Sequence, residues 1–226
     1  MALGVKLLRF ITFGGFVAPA AALLITTFMA ATAIDAGESP AEALARELDA
    51  RHKSLGDLTA RFVQTYRSGL MQREIVESGT VSIKRPGRMR WEYTKPEKKL
   101  FIADGKAFYF YVPADKQVIV QESAGQRGIP SLLLSGRSGI QEEFQVALED
   151  SPGGRPRLKC TPRKADPEVE TVYIEADDRF RVRSIEVLDP QGNRSRFVFD
   201  EIRENVGLKD GLFNFRVPAG VEVVKG

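Results

Sequence analysis

Residues 88–93 read Arg-Met-Arg-Trp-Glu-Tyr, and this short stretch decides the fold class. Apolar and charged side chains alternate along it, with Met89, Trp91 and Tyr93 on one side and Arg88, Arg90 and Glu92 on the other. Alternation with a period of two predicts a β-strand that has one face on a core and the other in water. We therefore expect Met89, Trp91 and Tyr93 to share one strand face.

The same period continues on both sides of this strand. It is carried by Leu58, Ala60 and Phe62, by Phe108, Phe110 and Val112, by Val118 and Val120, by Phe144, Val146 and Leu148, by Val172 and Ile174, by Ile185 and Val187, and by Phe197 and Phe199. Turn-forming residues separate the runs at 113–116, 176–178 and 189–193. Many short strands joined by tight turns predict one antiparallel sheet that is curled or closed.

A helix is predicted before the first strand. Ser39, Pro40 and Glu42 supply an N-cap residue, a proline at the first helical position and the glutamate of a capping box. Leu44 and Leu48 follow at a spacing of four, which gives the helix an apolar stripe. We expect this helix to end near 55–56.

Residues 123–139 break the period of two. A loop rich in small and polar residues, 123–128, leads into the short apolar run 129–134, and glycines follow it. One interpretation is a short helix on mobile hinges that lies over the sheet. The other is an ordinary core helix that closes one end of a barrel.

The N-terminus has the layout of an export signal. Lys6 and Arg9 precede the apolar stretch 10–30, and Ala31-Thr32-Ala33 fits the small-residue pattern of a cleavage site. The apolar stretch is also long enough for a membrane span, but its threonines, glycines and proline favour cleavage. We expect residues 1–33 to be a signal peptide and residues 34–226 to be one exported domain.

Charge and cysteine content restrict the possible functions. The chain has 33 Lys and Arg against 30 Asp and Glu, and two of the basic residues lie in the signal. The remaining domain is nearly neutral, so we expect no nucleic-acid binding. The basic cluster 84–90 is interpreted as a solvated strand face. Cys160 is the only cysteine, so no internal disulfide forms, and none lies near the N-terminus to carry a lipid anchor.

No catalytic set is complete. His52 is the only histidine, which excludes a site with several histidine ligands, and we interpret it as a surface residue of the first helix. Cys160 has no candidate base, and no phosphate or dinucleotide loop is present. These observations favour a binding protein without enzymatic activity, metal or cofactor.

Several motifs together resemble a known family. They are Leu58-Thr59-Ala60-Arg61-Phe62-Val63-Gln64, the stretch 79–91 with Lys84-Arg85-Pro86 and Trp91, Pro96, the segments 103–106 and 110–113, and the ending 213–221. From about Leu44 to Val224 the sequence resembles the periplasmic outer-membrane lipoprotein carrier family, LolA.

The resemblance implies a fold and a function. The expected fold is mainly β with α, an incomplete, half-open antiparallel β-barrel with helices forming a lid over an apolar cavity. The expected function is that of a monomeric periplasmic chaperone without a cofactor. It would accept acylated lipoproteins from an inner-membrane lipoprotein-releasing ABC transporter and carry them to an outer-membrane lipoprotein receptor. The alternative is a lipid sensor, or a carrier of another lipid, on the same fold.

The resemblance also implies a latch at Arg85. In the family, the arginine directly before the proline of this motif bonds to the lid and keeps the empty cavity shut. Read from the residues alone, Arg85 is a basic side chain in a Pro-Gly turn. The predicted cargo lining consists of Leu44, Leu48, Leu58, Phe62, Met89, Trp91, Tyr93, Ile129, Leu132, Leu133 and Leu134, each of which could also be ordinary core.

Overall fold

The computed structural model describes residues 37–71, 73–122, 139–152 and 156–225. Two helices, α1 (Pro40–Ser54) and α2 (Ile140–Glu143), accompany the strands. The strands are β1 (Asp57–Arg67), β2 (Glu74–Lys84), β3 (Arg88–Lys95), β4 (Lys99–Asp104), β5 (Ala107–Val112), β6 (Gln117–Glu122), β7 (Phe144–Asp150), β8 (Pro156–Pro162), β9 (Thr171–Ala176), β10 (Val182–Leu188), β11 (Arg194–Glu204) and β12 (Glu222–Lys225).

These strands form one sheet in the order β12-β6-β5-β4-β3-β2-β1-β11-β10-β9-β8-β7. Every neighbouring pair from β1 to β11 is antiparallel, as the tight turns predicted, whereas β12 runs parallel to β6. The order begins with β12 and ends with β7, so the sheet is not closed into a barrel. The predicted fold class, a mainly β half-open barrel with few helices, is confirmed. The predicted signal peptide and the predicted lid run lie outside the described residues.

Helix α1 begins where its capping box places it. The Glu42 backbone N–H donates to Ser39 Oγ at 3.3 Å, and the Ser39 backbone N–H donates to Glu42 Oε2 at 2.8 Å. The helix ends at Ser54, as predicted, and it buries Ala41, Ala45 and Leu48. It packs against α2, β7 and β8.

The sheet has apolar side chains on both faces. The face under α1, called here the concave face, carries the main core, in which Phe62, Trp91 and Phe197 are buried. On β4, Ile102 points away from this core and is fully buried on the opposite, convex face. There a single-turn 3-10 helix, Asp210–Phe213, lies against β3 and β4.

One glycine permits a close approach between β2 and β3. The register of this pair shifts between Ser78 and Gly79. A Cβ atom at Gly79 would lie 1.9 Å from the carbonyl oxygen of Glu92, so no other residue fits there without moving a strand. Gly79 faces Phe62 across the β1–β2 pair.

Candidate functional site

A cavity of about 80 Å³ lies between α1 and the concave face. Helix α1 supplies Leu48, and Trp91 of β3 lines the sheet side. The other apolar lining residues are Leu55, Leu58, Ala60, Val81, Ile83, Phe180, Val182, Phe199 and Ile202. This α1 cavity therefore offers a surface of aliphatic and aromatic groups, which suits an apolar ligand.

Aromatic side chains pack around Trp91 beside the cavity. The Phe62 ring lies 4.8 Å from the Trp91 ring and 4.8 Å from the Tyr93 ring, both edge to face, and Trp91 lies 5.3 Å from Phe197. We call Phe62, Trp91, Tyr93 and Phe197 the aromatic wall. Edge-to-face pairs at these distances add attraction beyond the area that they bury, so the wall is a stable part of the core.

A hydrogen-bond chain backs the aromatic wall. Tyr93 Oη donates to Gln64 Oε1 at 2.6 Å, and Gln64 Nε2 donates to Ser195 Oγ at 2.9 Å. Burial raises the pKa of the Tyr93 hydroxyl, which therefore stays protonated and keeps donating. This chain links β3, β1 and β11 and marks where the concave face turns polar.

Charged side chains border the cavity beside α1. Arg51 of α1 pairs with Glu204 of β11, and both line the cavity together with His52 and Arg181. This ion pair ties the C-terminal end of α1 to the sheet. His52, predicted as a surface residue, is half-buried at this border.

Arg85 lies in the turn between β2 and β3. Its backbone N–H donates to the carbonyl of Gly56 at 2.9 Å. Its guanidinium nitrogen Nη2 is buried and has no hydrogen-bond partner within the described part of the chain. Burial lowers the pKa of Arg85, because the charged form has lost water. Nε of Arg51, Arg157 and Arg196 is likewise buried without a hydrogen-bond partner, but each of those guanidiniums forms an ion pair through another nitrogen.

The neighbours of Arg85 are paired. Lys84 Nζ and Arg88 Nη1 each lie 2.6 Å from Asp210 Oδ1, and Lys84 also donates to the carbonyl of Leu208 at 2.6 Å. Lys84 and Arg88 are half-buried rather than fully solvated, unlike the strand face that the sequence predicted. The basic turn therefore holds the chain that follows β11 against the convex face.

Asp57 is an anchor that sequence reasoning missed. Its carboxylate is buried and accepts hydrogen bonds from the backbone N–H groups of Val206 at 2.7 Å and Leu208 at 2.8 Å. Its carbonyl accepts from Asn205 N at 2.8 Å. We call residues 205–221 the C-terminal segment, and Asp57 fixes its first residues beside β1.

The structure places the predicted lining residues in three groups. Leu48, Leu58 and Trp91 line the α1 cavity. Phe62, Met89 and Tyr93 belong to the same buried cluster beside it, and Leu44 packs on that cluster while partly exposed. Ile129, Leu132, Leu133 and Leu134 lie outside the described residues.

Sequence reasoning did not select several residues that line the cavity. Val81 and Ile83 alternate along β2, and Phe199 had been assigned to a strand, so their period of two was a usable signal. Phe180, Val182 and Ile202 had no such signal, because the β9–β10 turn and the end of β11 bring them to the cavity.

Two further kinds of feature are absent from the described ranges. No group of three or more His, Cys, Asp or Glu side chains there could hold a metal ion. No helix in those ranges is long and apolar enough to cross a membrane.

An open β half-barrel with an apolar cavity under a helix is the class that fold and site define. Residues 53–216 match the family model described as "Outer membrane lipoprotein carrier protein LolA". The chain belongs to this family, as its motifs indicated.

Two relatives agree with this assignment, and one solved structure shares the fold. The outer-membrane lipoprotein carrier protein of Chromobacterium violaceum is 33% identical over 201 residues, which are 88% of this chain and 96% of the relative. That of Pseudomonas aeruginosa is 31% identical over 208 residues, or 90% and 99% of the two chains. An uncharacterized conserved protein from Thermus thermophilus shares the fold, with a TM-score of 0.51 and 15% identity over 83% of this chain and 100% of the other.

Proposed function

We propose that this protein is a periplasmic carrier for acylated lipoproteins. It accepts them from an inner-membrane lipoprotein-releasing ABC transporter and hands them to an outer-membrane receptor. Residues 1–33 direct export and are removed, and the protein works as a monomer without chemistry or cofactor. Family membership supports the carrier role, and the observation that carries the proposal is the apolar cavity between α1 and the concave face.

The size of the cavity favours a closed resting state. Sites for small ligands have volumes of about 300–1,000 Å³, whereas the α1 cavity has about 80 Å³. Acyl chains therefore enter only if α1 or its neighbours move away from the sheet. The predicted lid residues Ile129, Leu132, Leu133 and Leu134 would enlarge the apolar surface in the open state.

A closed resting state also solves the problem of release. Burial contributes about 0.8 kcal/mol per methylene, so one sixteen-carbon chain gains on the order of 12 kcal/mol. A site that is always open would hold two or three such chains almost irreversibly. If opening is unfavourable, the apparent affinity falls by the fraction of molecules that are open.

Arg85 fits the role of the latch. Its buried nitrogen Nη2 lacks a partner in the described structure, and its guanidinium has five donors for backbone carbonyls. Because Nη2 of Arg85 has no partner in the described structure, it is available to hydrogen-bond a lid that closes and opens. We expect Arg85→Leu to accept cargo but to release it poorly, because the open state is then more populated.

The test is a reconstituted transfer assay. Membrane vesicles with the transporter, ATP and a labelled acylated lipoprotein are mixed with the carrier, and the soluble complex and its transfer to receptor are measured. We expect Leu48→Glu to abolish loading, because it places a charge in the cavity. The matched control is Val198→Glu, on the exposed convex side of β11.

One result of this assay would refute the proposal, and another would remove the support that the assay gives it. Normal loading of the folded Leu48→Glu variant would mean that the α1 cavity does not receive the acyl chains. Equal loss in both variants would mean that the assay reports general damage. Mass spectrometry of protein isolated from the periplasm distinguishes a lipoprotein carrier from a sensor or carrier of another lipid. Bound free lipid instead of lipoprotein would indicate the second class.

A further inference from the structure

The turn between β1 and β2 holds two large apolar side chains out in water. Leu70 is 88% exposed and Met71 is 75% exposed. Every other large apolar side chain in the described ranges is at most 53% exposed. We call Leu70 and Met71 the apolar tip.

The apolar tip stands on an ordered base. The Ser68 N–H donates to the Arg73 carbonyl at 3.1 Å, and the Met71 N–H donates to Ser68 Oγ at 3.3 Å, while Ser68 itself is buried. The Gly69 N–H donates to Asn193 Oδ1 in the β10–β11 turn at 3.1 Å. These hydrogen bonds hold the backbone on which the two apolar side chains stand.

Packing confirms that the two turns form one unit. A Cβ atom at Gly69 would lie 2.8 Å from the carbonyl oxygens of Gln191 and Gly192. Only glycine permits this approach, so the chain brings the β1–β2 and β10–β11 turns into contact. A rigid base keeps the apolar tip from folding back onto the sheet, and its exposure is a property of the fold.

Charges around the apolar tip are balanced. Arg67 pairs with Glu74 at 3.4 Å, and Arg194 pairs with Glu186 at 2.8 Å. The remaining charged residues of the two turns are Arg73 and Asp189. These two turns therefore carry no net charge that would select an acidic or a basic partner.

The small size of the apolar tip argues against a protein partner. Stable protein interfaces bury about 1,200–2,000 Å² in total, and two side chains supply a small part of that area. A bilayer interface accepts isolated apolar side chains, because acyl chains adapt to their shape. We propose that the apolar tip inserts reversibly into the interface of a lipid bilayer.

The geometry makes this contact an anchor and not the point of cargo exit. Strand β1 runs from Asp57 beside the basic turn to Arg67 beside the apolar tip. At about 3.3 Å per residue, the two ends are roughly 33 Å apart. The cavity-lining residues Leu58 and Ala60 lie near the far end, so membrane contact and cargo binding use different ends of the sheet.

The expected affinity is low. Two apolar side chains bind more weakly than a single myristoyl chain, for which the association constant is about 10⁴ M⁻¹. Such a contact is brief. The inference rests on the exposed side chains and not on the proposed carrier role, because the apolar tip would contact any bilayer that the protein meets.

The test measures binding of the purified protein to sedimenting vesicles of pure phosphatidylcholine, and of phosphatidylcholine mixed with phosphatidylglycerol. We expect weak binding to both that persists at high salt. The Leu70→Ser/Met71→Ser double variant should lose at least about tenfold of this binding, because both apolar groups are gone. Val198→Ser, which removes an exposed apolar side chain away from the tip, should bind as the parent does.

Four outcomes would overturn the inference. They are no binding by the parent protein, unchanged binding by the double variant, an equal loss in Val198→Ser, and binding that needs phosphatidylglycerol and disappears at high salt. Unfolding transitions exclude a folding defect as the cause, since the changed side chains are exposed. Lipoprotein loading by the double variant should stay normal, which separates failure of this inference from failure of the carrier proposal.

Discussion

The two faces of the sheet are closed in different ways. On the convex face, the C-terminal segment covers the strands and Phe213 is fully buried. Its beginning is held by the carboxylate of Asp57, and its 3-10 turn is held by Lys84 and Arg88 through Asp210. On the concave face, α1 leaves a cavity of about 80 Å³.

The contrast is sharpest in the basic turn between β2 and β3. Lys84 and Arg88 have partners on the convex side, whereas Nη2 of Arg85 is buried without one in the described ranges. A satisfied buried group stabilises one state of a protein, and an unsatisfied one disfavours the state in which it is seen. The convex side of this turn is therefore stabilised by paired charges, whereas the unpaired nitrogen of Arg85 adds a cost to the state in which it is seen.

The largest expected effect is on the convex face. Phe213→Ala removes a fully buried ring and should lower the free energy of unfolding by about 3–5 kcal/mol. Leu58→Ala, at the wall of the α1 cavity, should lose less, because Leu58 is only half-buried and already borders empty space. Urea unfolding measures both values. A larger loss for Leu58→Ala would reverse the comparison.

The second effect tests the anchor of the C-terminal segment. Asp57→Ala leaves the N–H groups of Val206 and Leu208 without their acceptor, and hydrogen bonds to a charged group contribute about 1.5–3 kcal/mol. We expect a loss of that size in urea unfolding and faster amide exchange at Val206 and Leu208. Unchanged exchange at both amides would mean that the segment is held by other contacts.

Much of this fold could be predicted from the sequence, because the signals are local. Strand β3 was predicted from the alternation of Met89, Trp91 and Tyr93, and the structure buries all three. Helix α1 was predicted from the capping box of Ser39 and Glu42. Each of these patterns spans a few residues and can be recognised without residues that are far away in the sequence.

The cover of the convex face could not be predicted in this way. Asp57 and Leu208 are separated by 151 positions, and nothing near either residue indicates the hydrogen bond between them. A period of two shows that a strand has two faces, but not which face receives α1 and which receives Phe213. The basic cluster was assigned to solvent for the same reason, because its partner Asp210 is far away in sequence.

The site was predictable to a similar extent. Leu48, Leu58 and Trp91 were selected from periodicity and resemblance, and all three line the cavity. The aromatic wall depends on how Phe62 and Tyr93 stack beside Phe197 of β11, which only the paired sheet determines. The latch role of Arg85 stays a prediction.

A smaller effect on stability is expected at Arg85. Arg85 is only half-buried, and its buried nitrogen Nη2 makes no hydrogen bond that leucine would remove, so Arg85→Leu should change the free energy of unfolding by less than about 1 kcal/mol. This result would contrast with Asp57→Ala, although both residues are close to the start of the C-terminal segment. A loss of several kcal/mol would show that Arg85 stabilises the closed fold directly.

Thiol labelling reports how Arg85→Leu affects the concave face. Cys160 is buried in the main core, and burial raises the pKa of its thiol to about 12, so labelling requires opening. If Arg85 is a latch, the variant should react faster than the parent at equal stability. Arg90→Leu, a neighbouring arginine on β3, is the control and should react at the parental rate.

The smallest effect is expected at Asp210, whose side chain is exposed. Hydrogen bonds from Lys84 and Arg88 lower the pKa of Asp210 from its ordinary value of 3.8. A carboxyl group whose pKa is lower in the folded state stabilises the fold above its unfolded pKa, and this contribution is lost as the pH falls through the folded value. Asp210→Asn should therefore lower the melting temperature slightly at pH 7, and the difference from the parent should vanish as the pH falls below about 3.8.

Asp178→Asn, in the exposed β9–β10 turn, is the control for this last comparison. High salt should also reduce the effect of Asp210→Asn, because exposed ion pairs are screened. The melting temperatures of Asp210→Asn and the parent could still differ at low pH. In that case the 3-10 turn would be held by its hydrogen bonds and not by the ion pairs of Asp210. The convex face would then be closed by packing and backbone contacts alone, and the paired charges of Lys84 and Arg88 would no longer distinguish it from the concave face.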